Sequence, residues 1–500
     1  MQHSGNSDRT RTAPRVAASV LAVASLIFGA LLLTSAVAPA VASPTIVGIG
    51  SGNLLVPATA NPVALTTPTA NSPYTSVITP NSRYVYSADQ ITDTIYVVDS
   101  TTDTQVAQIG VPVGTKIESS AISPDGSHAY FAGYLSDTVE VVNTATNTLG
   151  TPINVGIFPN AIAVSPNGSL LYVLAAGALT SYNLPSGTLH GTAPLGVSSS
   201  TSVVITPDGK TAYVSDGGAA NDVNVVNTVT ETLGSPIPAG SDPFSLAITP
   251  DGSTVFVLND GDDTVQAITT ATNAIGSPAG TGSATSDNVV QVSPDGKQVY
   301  VAGGDGDIAV LPSDLSAVVS LSDPGTKYGL VASPDGKRIY APNFSNGTLD
   351  IFNIATLTVT GPANIPSGAA TTSFVVSIDD GNTPVGDYSS DLVFVAIRGS
   401  SNSAVGDGGG IFDPATGTVT VVVPTATVAN GTYSVEAITA DSQSGATLDA
   451  RATGLVIGPV LASTGVDATF PLLLGGILVL AGLVSILAVR LFRRRAHSDP

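Results

Sequence analysis

A proline-led turn tetrapeptide recurs seven times along the chain, and the segments between copies are rich in β-branched and aromatic residues. No part of the body sustains a 3.6-residue apolar period. These observations predict an all-β fold: a seven-bladed β-propeller followed by a small immunoglobulin-like β-sandwich. An N-terminal signal helix and a C-terminal transmembrane helix are expected to flank them.

The composition narrows the function. The 500 residues carry 37 Asp and Glu against 16 Lys and Arg, with four His and no Cys. Without cysteine there is no disulfide framework, thiolate metal site or cysteine nucleophile. The net charge of −21 disfavours nucleic acid, whose phosphates need clustered cations. Only 11% of residues are charged and 43% are hydrophobic, which is not the balance of a disordered chain.

Residues 1–42 read as a secretory signal. Arg9, Arg11 and Arg15 precede an apolar run from Val16 to Val37, and Ala40-Val41-Ala42 forms a small-residue cleavage site. Residues 43–61 are expected to be a linker. Between Ser43 and Thr464 lie nine of the sixteen basic residues and all acidic ones except Asp8, Asp467 and Asp499, so the exported body carries −25.

The repeat spans 62–366. Its turns are Thr79-Pro80-Asn81-Ser82, Ser123-Pro124-Asp125-Gly126, Ser165-Pro166-Asn167-Gly168, Thr206-Pro207-Asp208-Gly209, Thr249-Pro250-Asp251-Gly252, Ser293-Pro294-Asp295-Gly296 and Ser333-Pro334-Asp335-Gly336. The prolines are 44, 42, 41, 43, 44 and 40 residues apart, the length of a four-stranded blade. Proline presets φ at the first turn position, and glycine takes the positive φ that closes the turn. An aromatic-led strand follows each turn (Tyr84-Val85, Tyr130-Phe131, Tyr172-Val173, Tyr213-Val214, Phe256-Val257, Tyr300-Val301, Tyr340-Ala341), and a strand such as Asp137-Thr138-Val139 comes next.

These residues resemble the YVTN-type β-propeller repeat, in which an SPDG turn precedes a YV strand and a D-T-V strand. The resemblance covers Tyr74 to Ile365. Blade 1 departs with Asn81-Ser82 in the turn, and blade 3 has Ala178-Leu179 in place of D-T-V. Ring closure has two candidates, the early strand Pro62–Leu65 and the late segment Gly361–Ile365.

Residues 370–458 lose the turn rhythm but keep strand-like segments. Asn430 to Ala437 is similar to the late hairpin of bacterial immunoglobulin-like stalk domains; extra propeller strands plus a linker are the alternative. The motif Leu461-Ala462-Ser463-Thr464-Gly465 then precedes an apolar span over 470–490 and a basic tail over 491–500 with Arg493, Arg494 and Arg495. This order resembles the LAxTG sorting signal of Gram-positive, actinobacterial surface proteins. The resemblance implies a sortase that cuts after Thr464 and joins it to peptidoglycan, with the terminal helix holding the chain in the membrane until then.

Candidate chemistry is sparse. His128 and His190 are the only histidines of the exported body, and neither sits in a catalytic or metal motif. Asp260-Gly261-Asp262-Asp263 and Asp305-Gly306-Asp307 offer oxygens for calcium but lack the rest of a ligand loop and coincide with ordinary hairpin turns. No cofactor, metal or catalytic residue is therefore assigned. Six residues before each turn proline stand Tyr74, Glu118, Asn160, Thr201, Phe244, Asn288 and Tyr328, a varied set on an invariant frame. They are the candidate channel-rim residues, suited to a glycan or a protein ligand, or else simply a plug. The expectation is a non-enzymatic, wall-anchored binding protein. A lactonase-like exported enzyme and a purely structural envelope protein are the alternatives.

Overall fold

The computed structural model describes residues 45–58, 62–66, 72–196, 201–282, 287–304, 306–316, 318–321, 323–379, 392–399, 404–411, 413, 416–440 and 447–458. The signal segment, the LASTG motif, the apolar span and the basic tail lie outside them. Among the described residues no helix is long and apolar enough to cross a membrane.

Six consecutive antiparallel sheets form blades 1 to 6. Blade 1 runs from Pro73–Ile78 through Tyr84–Asp89 and Thr94–Asp99 to Thr104–Gly110. Blade 7 takes Val331–Ala332, Arg338–Asn343 and the long strand Thr348–Pro362 from late in the chain, and Val63–Ala64 from early in it. The pairs Val63 with Leu349 and Ala64 with Thr348 settle closure in favour of the early strand. The rival segment goes elsewhere, since Asn364–Pro366 pairs in parallel with Val456–Gly458.

The repeated turn is held by its own side chains. In blade 2 the Ser123 hydroxyl donates to Asp125 Oδ1 (2.6 Å), which also accepts from the Ser127 amide (2.9 Å); Gly126 sits at φ 71°. A Cβ on Gly126 would stand 2.8 Å from Pro80 Cδ, and one on Gly252 2.5 Å from Pro207 Cδ, so each of these turns seats on the proline of the previous one. Blade 1 keeps the geometry without glycine, with Ser82 at φ 59°. Its hydroxyl accepts from the Asp335 amide (3.0 Å), so the departure from the motif serves as the joint where blades 7 and 1 meet.

Large aromatics fill the seams between blades. Tyr86, Phe131, Tyr213, Phe256, Tyr300 and Tyr340 are fully or almost fully buried. In blade 1 the conserved spacing from the turn is met by Tyr86 rather than the Tyr84 of the sequence match. Tyr86 and Tyr213 donate to Asn147 (2.6 Å) and Asn273 (2.7 Å) in the following blade. Where the tyrosine is replaced by Phe256, the next blade offers Leu315, packed against the same core.

The segment expected to be a linker, 43–61, contains the strand Thr45–Pro57, which pairs along Thr348–Pro362 from Phe352 to Pro362. Thr348–Pro362 therefore belongs to blade 7 at its start and, further on, pairs with Thr371–Asp379 and so leads to Thr418–Pro424. A second sheet contains Leu392–Arg398, Ala404–Ile411, Gly431–Ala440 and Thr447–Gly458. Leu357, Phe374 and Val421 of the first sheet share one core with Val395, Val435 and Leu455 of the second.

Candidate functional site

Each blade begins at the same end of the ring, the mouth, where the hairpins between second and third strands and the connections between blades also lie. The proline turns occupy the opposite end. Five of the seven rim candidates stand at or next to the start of an inner strand, Thr201 and Tyr328 lie two and three residues before theirs, and three of the seven form a connected group.

Tyr74 and Tyr328 stack with ring centroids 4.7 Å apart, and Phe344 meets them edge-on at 6.4 and 5.3 Å. Burial, then the nearby Glu118 carboxylate, pushes the Tyr74 phenol far above its usual range, so it stays neutral. Glu118 is also bound by Lys116 Nζ at 2.6 Å. Lys116 in turn lies 4.9 Å over the Tyr134 ring, which packs 5.0 Å from Phe158. An unbroken chain of side chains thus runs from blade 7 to blade 3.

The remaining candidates serve the backbone. Thr201 Oγ1 donates to the Phe244 carbonyl (2.5 Å), and Asn288 Nδ2 to the Lys327 carbonyl (3.2 Å). Asn160 has partners of its own, and no ring contact brings Phe244 into the aromatic group.

Sequence reasoning missed Lys116, Tyr134, Phe158 and Phe344. Lys116 and Phe158 stand two residues before their rim positions, with φ 53° and 56°, a left-handed conformation that costs a non-glycine residue about 1–2 kcal/mol. The Asp of the D-T-V strand holds them there. Asp93 accepts from the amides of Gly114 (2.6 Å) and Lys116 (3.2 Å), and Asp137 accepts from the Phe158 amide (3.1 Å). That motif aspartate, read in the sequence as a strand marker, positions the mouth.

The rim is not uniform. Ile91, Val113, Leu135, Ile157 and Phe158 project from four consecutive loops of blades 1 to 3, with Val113 99% exposed. Blades 4 and 5 instead carry Asp216, Asp222, Asp242, Asp260 and Asp263. Burial first, and then Asp216, raises the Asp222 carboxyl above its ordinary range; burial, Asp242 and Asp263 do the same for Asp260.

One of the two acidic Gly-rich segments is described in full. Asp260–Asp262 is a single 3-10 turn, and Asp262 Oδ2 accepts from the Ser241 amide (2.6 Å). Asp305 lies outside the described residues. Among the described residues no group of three or more His, Cys, Asp or Glu is placed to hold a metal. His128 bonds to its neighbour Ser127 in the blade 2 turn (2.8 Å). His190 is in the outer strand of blade 3, Thr188–Pro194. Its Nδ1 is 2.9 Å from Glu231 Oε1 of blade 4, a partnership across 41 residues that no local motif signalled. His190 borders a shallow groove of about 490 Å³ that includes turn residues Pro166, Asn167 and Pro207, away from the mouth.

A family model described as "Lactonase, 7-bladed beta-propeller" matches residues 58–276. Among solved structures the chain is similar to Kuenenia stuttgartiensis Hydrazine Synthase, with 21% identity and a TM-score of 0.52 over 58% of this chain and 97% of that one. A search of the curated proteins finds no match. The family match and the closed ring agree on the fold: the body of this chain is a seven-bladed β-propeller.

Proposed function

We propose that the ring is a non-enzymatic binding head that grips a polypeptide partner across its mouth. The observation that carries this reading is the run of exposed apolar side chains, Ile91, Val113, Leu135, Ile157 and Phe158, on neighbouring rim loops. Single exposed hydrophobic residues are ordinary, but a clustered set at loop tips marks an interaction surface. The Tyr74–Glu118–Lys116–Tyr134 chain backs that surface with fixed rings and charges, which lowers the ordering cost of binding. The acidic rim of blades 4 and 5 disfavours polyanionic partners.

The test compares the wild type with an Ile91→Asp, Val113→Asp, Ile157→Asp variant on peptide arrays and glycan arrays. Peptide binding that falls at least about tenfold in the variant, with an unchanged melting midpoint, supports the reading; tenfold corresponds to about 1.4 kcal/mol. Glycan binding that survives these changes but disappears with Tyr74→Ala and Tyr328→Ala replaces the polypeptide with a sugar stacked on the rings.

A second reading, lactone hydrolysis, is favoured by the family match over 58–276. Glu118 is the mouth carboxylate it would use as a general base, although Lys116 and Tyr74 already hold that group. Turnover of any member of a γ- and δ-lactone panel that is lost in Glu118→Gln overturns the binding-only reading.

We further propose export, an immunoglobulin-like stalk and covalent attachment to the wall of a Gram-positive, actinobacterial cell through Thr464, supported by the order of LASTG, apolar span and arginines. Mass measurement of muralytic digests checks the attachment. A C-terminus at Thr464 carrying a peptidoglycan fragment is expected, and an intact chain to Pro500 would rule it out.

A further inference from the structure

Lys327 has no exposed surface, although lysine is almost never fully enclosed without a partner. It lies in the connection between blades 6 and 7, beside the rim residue Tyr328. Its ammonium is surrounded by oxygens. The carbonyls of Asp323, Gly325 and Gly306 accept from Nζ at 2.8, 3.0 and 3.1 Å. Asp323 Oδ2 stands at 2.9 Å and Asp350 Oδ2 at 3.8 Å.

The surroundings are built to converge these oxygens. Gly306 and Gly325 have φ 87° and 113°. A Cβ on Gly306 would fall 2.2 Å from the Asp323 carbonyl oxygen, and one on Gly325 2.3 Å from Asn343 Oδ1. No other residue type fits either position. Asn343 Nδ2 donates to both Asp350 Oδ2 (2.7 Å) and the Pro324 carbonyl (3.0 Å), and Thr348 Oγ1 donates to Asp350 Oδ1 (2.8 Å). The second carboxylate is thereby fixed in place around the cation.

Five oxygens, two of them from carboxylates, are more than one ammonium requires. Three protons make three good hydrogen bonds, and a single carboxylate balances one charge. Three backbone carbonyls with two carboxylates are instead the ligand set of a hard divalent cation, which takes six to eight oxygens at about 2.3–2.6 Å and completes its shell with water. We infer that this is a cation cage whose resident ion is the chain's own Lys327 ammonium, and that it accepts calcium when that side chain is removed. What the seam between blades 6 and 7 requires at this point is a positive charge rather than a lysine. Tyr328, the next residue, is then held at the mouth by a tethered cation, so Lys327 is a positioning residue for the aromatic group.

The experiment uses the full chain in wild-type, Lys327→Ala, Lys327→Met and Lys327→Ala/Asp350→Asn forms. Melting midpoints are measured with a chelator, with CaCl2 and with MgCl2. The wild type should be indifferent to all three. Lys327→Ala should melt several degrees lower in chelator and recover with millimolar calcium, but little with magnesium, whose smaller octahedral shell does not match the cage. Adding Asp350→Asn should abolish the recovery. Lys327→Met fills the volume without charge, so it should remain destabilised and unresponsive to calcium. Terbium offers a second readout: tyrosine-sensitised emission should rise above the wild-type level in Lys327→Ala, fall back with Asp350→Asn, and be displaced by calcium. Should Lys327→Ala fail to accumulate, it is refolded in calcium and in chelator, and the inference requires folding in the first alone. Equal stability with and without calcium in Lys327→Ala, or recovery that persists with Asp350→Asn, overturns it.

Discussion

The two ends of the ring are built on opposite rules. At the turn end, seven copies repeat one local device, with a hydroxyl and an amide donating to Asp or Asn and, in six of them, glycine or in blade 1 serine turning the chain at positive φ. At the mouth only the adjoining blades 7 and 1 present the same side chain, the stacked Tyr328 and Tyr74, and partners come from different blades. The turn end tolerates identity because each copy meets an identical neighbour and is asked only to pack. The mouth cannot be identical and also make a directional surface. Outside the buried Lys327, stability should therefore respond to changes at the turn end, and recognition to changes at the mouth.

The largest effect is expected where the repeat must close. Arg338 Nη1 donates to the Ser100 carbonyl (2.7 Å) and to Asp103 Oδ1 (2.5 Å), tying blade 7 to blade 1. Both side chains are mostly buried, so Arg338→Ala leaves Asp103 enclosed without its counter-charge and should cost about 2–3 kcal/mol. Lys210 and Asp208, at the same end but well exposed and 3.8 Å apart, form the control. Lys210→Ala should change stability by less than about 0.5 kcal/mol. Denaturant titration of the two variants gives the comparison, and equal losses would mean that closure rests on the paired strand Val63–Ala64 alone.

The same contrast explains what could be read in advance. The turn is written in four adjacent residues, so seven copies at a fixed spacing announced both the fold and the blade number. The rim positions lie at a fixed count before each proline, and Tyr74 stacks on Tyr328 and neighbours Glu118. Lys116 and Phe158 were invisible because a left-handed Lys or Phe has no composition signal; only the motif aspartates Asp93 and Asp137 hint that something is pinned opposite them. Tyr134, Phe344 and the pairing of His190 with Glu231 depend on which blades are neighbours, a property of the closed ring. The strand Thr45–Pro57 was hidden for a different reason. It lacks the repeat and pairs with a segment about 300 residues away, so nothing local distinguished it from a linker.

A smaller effect should appear in acid. The Ser123 hydroxyl first, then the amide and hydroxyl of Ser127, lower the Asp125 carboxyl to about 2. Asp208 and Asp251 are lowered by the equivalent Thr206 and Thr249 hydroxyls and by turn amides. A carboxyl depressed in the folded state contributes stability above its unfolded value of about 3.9 and loses it as the pH falls toward the folded value. The melting midpoint should therefore drop between about pH 4 and pH 2. Ser123→Ala should lie below the wild type at neutral pH and fall less steeply in acid, because its Asp125 is less depressed. Parallel pH profiles would show that the turn aspartates act as spacers rather than as charged acceptors.

The smallest change in stability should come from the residue with the most to lose in recognition. Phe158 holds φ 56°, a conformation glycine adopts freely. Phe158→Gly removes that strain, about 1 kcal/mol, and gives up the contact with Tyr134, worth about 0.5–1.5 kcal/mol. The two nearly cancel, so the melting midpoint should barely move while the apolar rim loses its largest ring. A Phe kept only for packing would instead make the glycine variant clearly less stable, because 46% of its surface already faces solvent and the buried part would have to carry the whole cost. An unchanged midpoint together with lost partner binding shows a backbone held against its preference for the sake of the surface it displays.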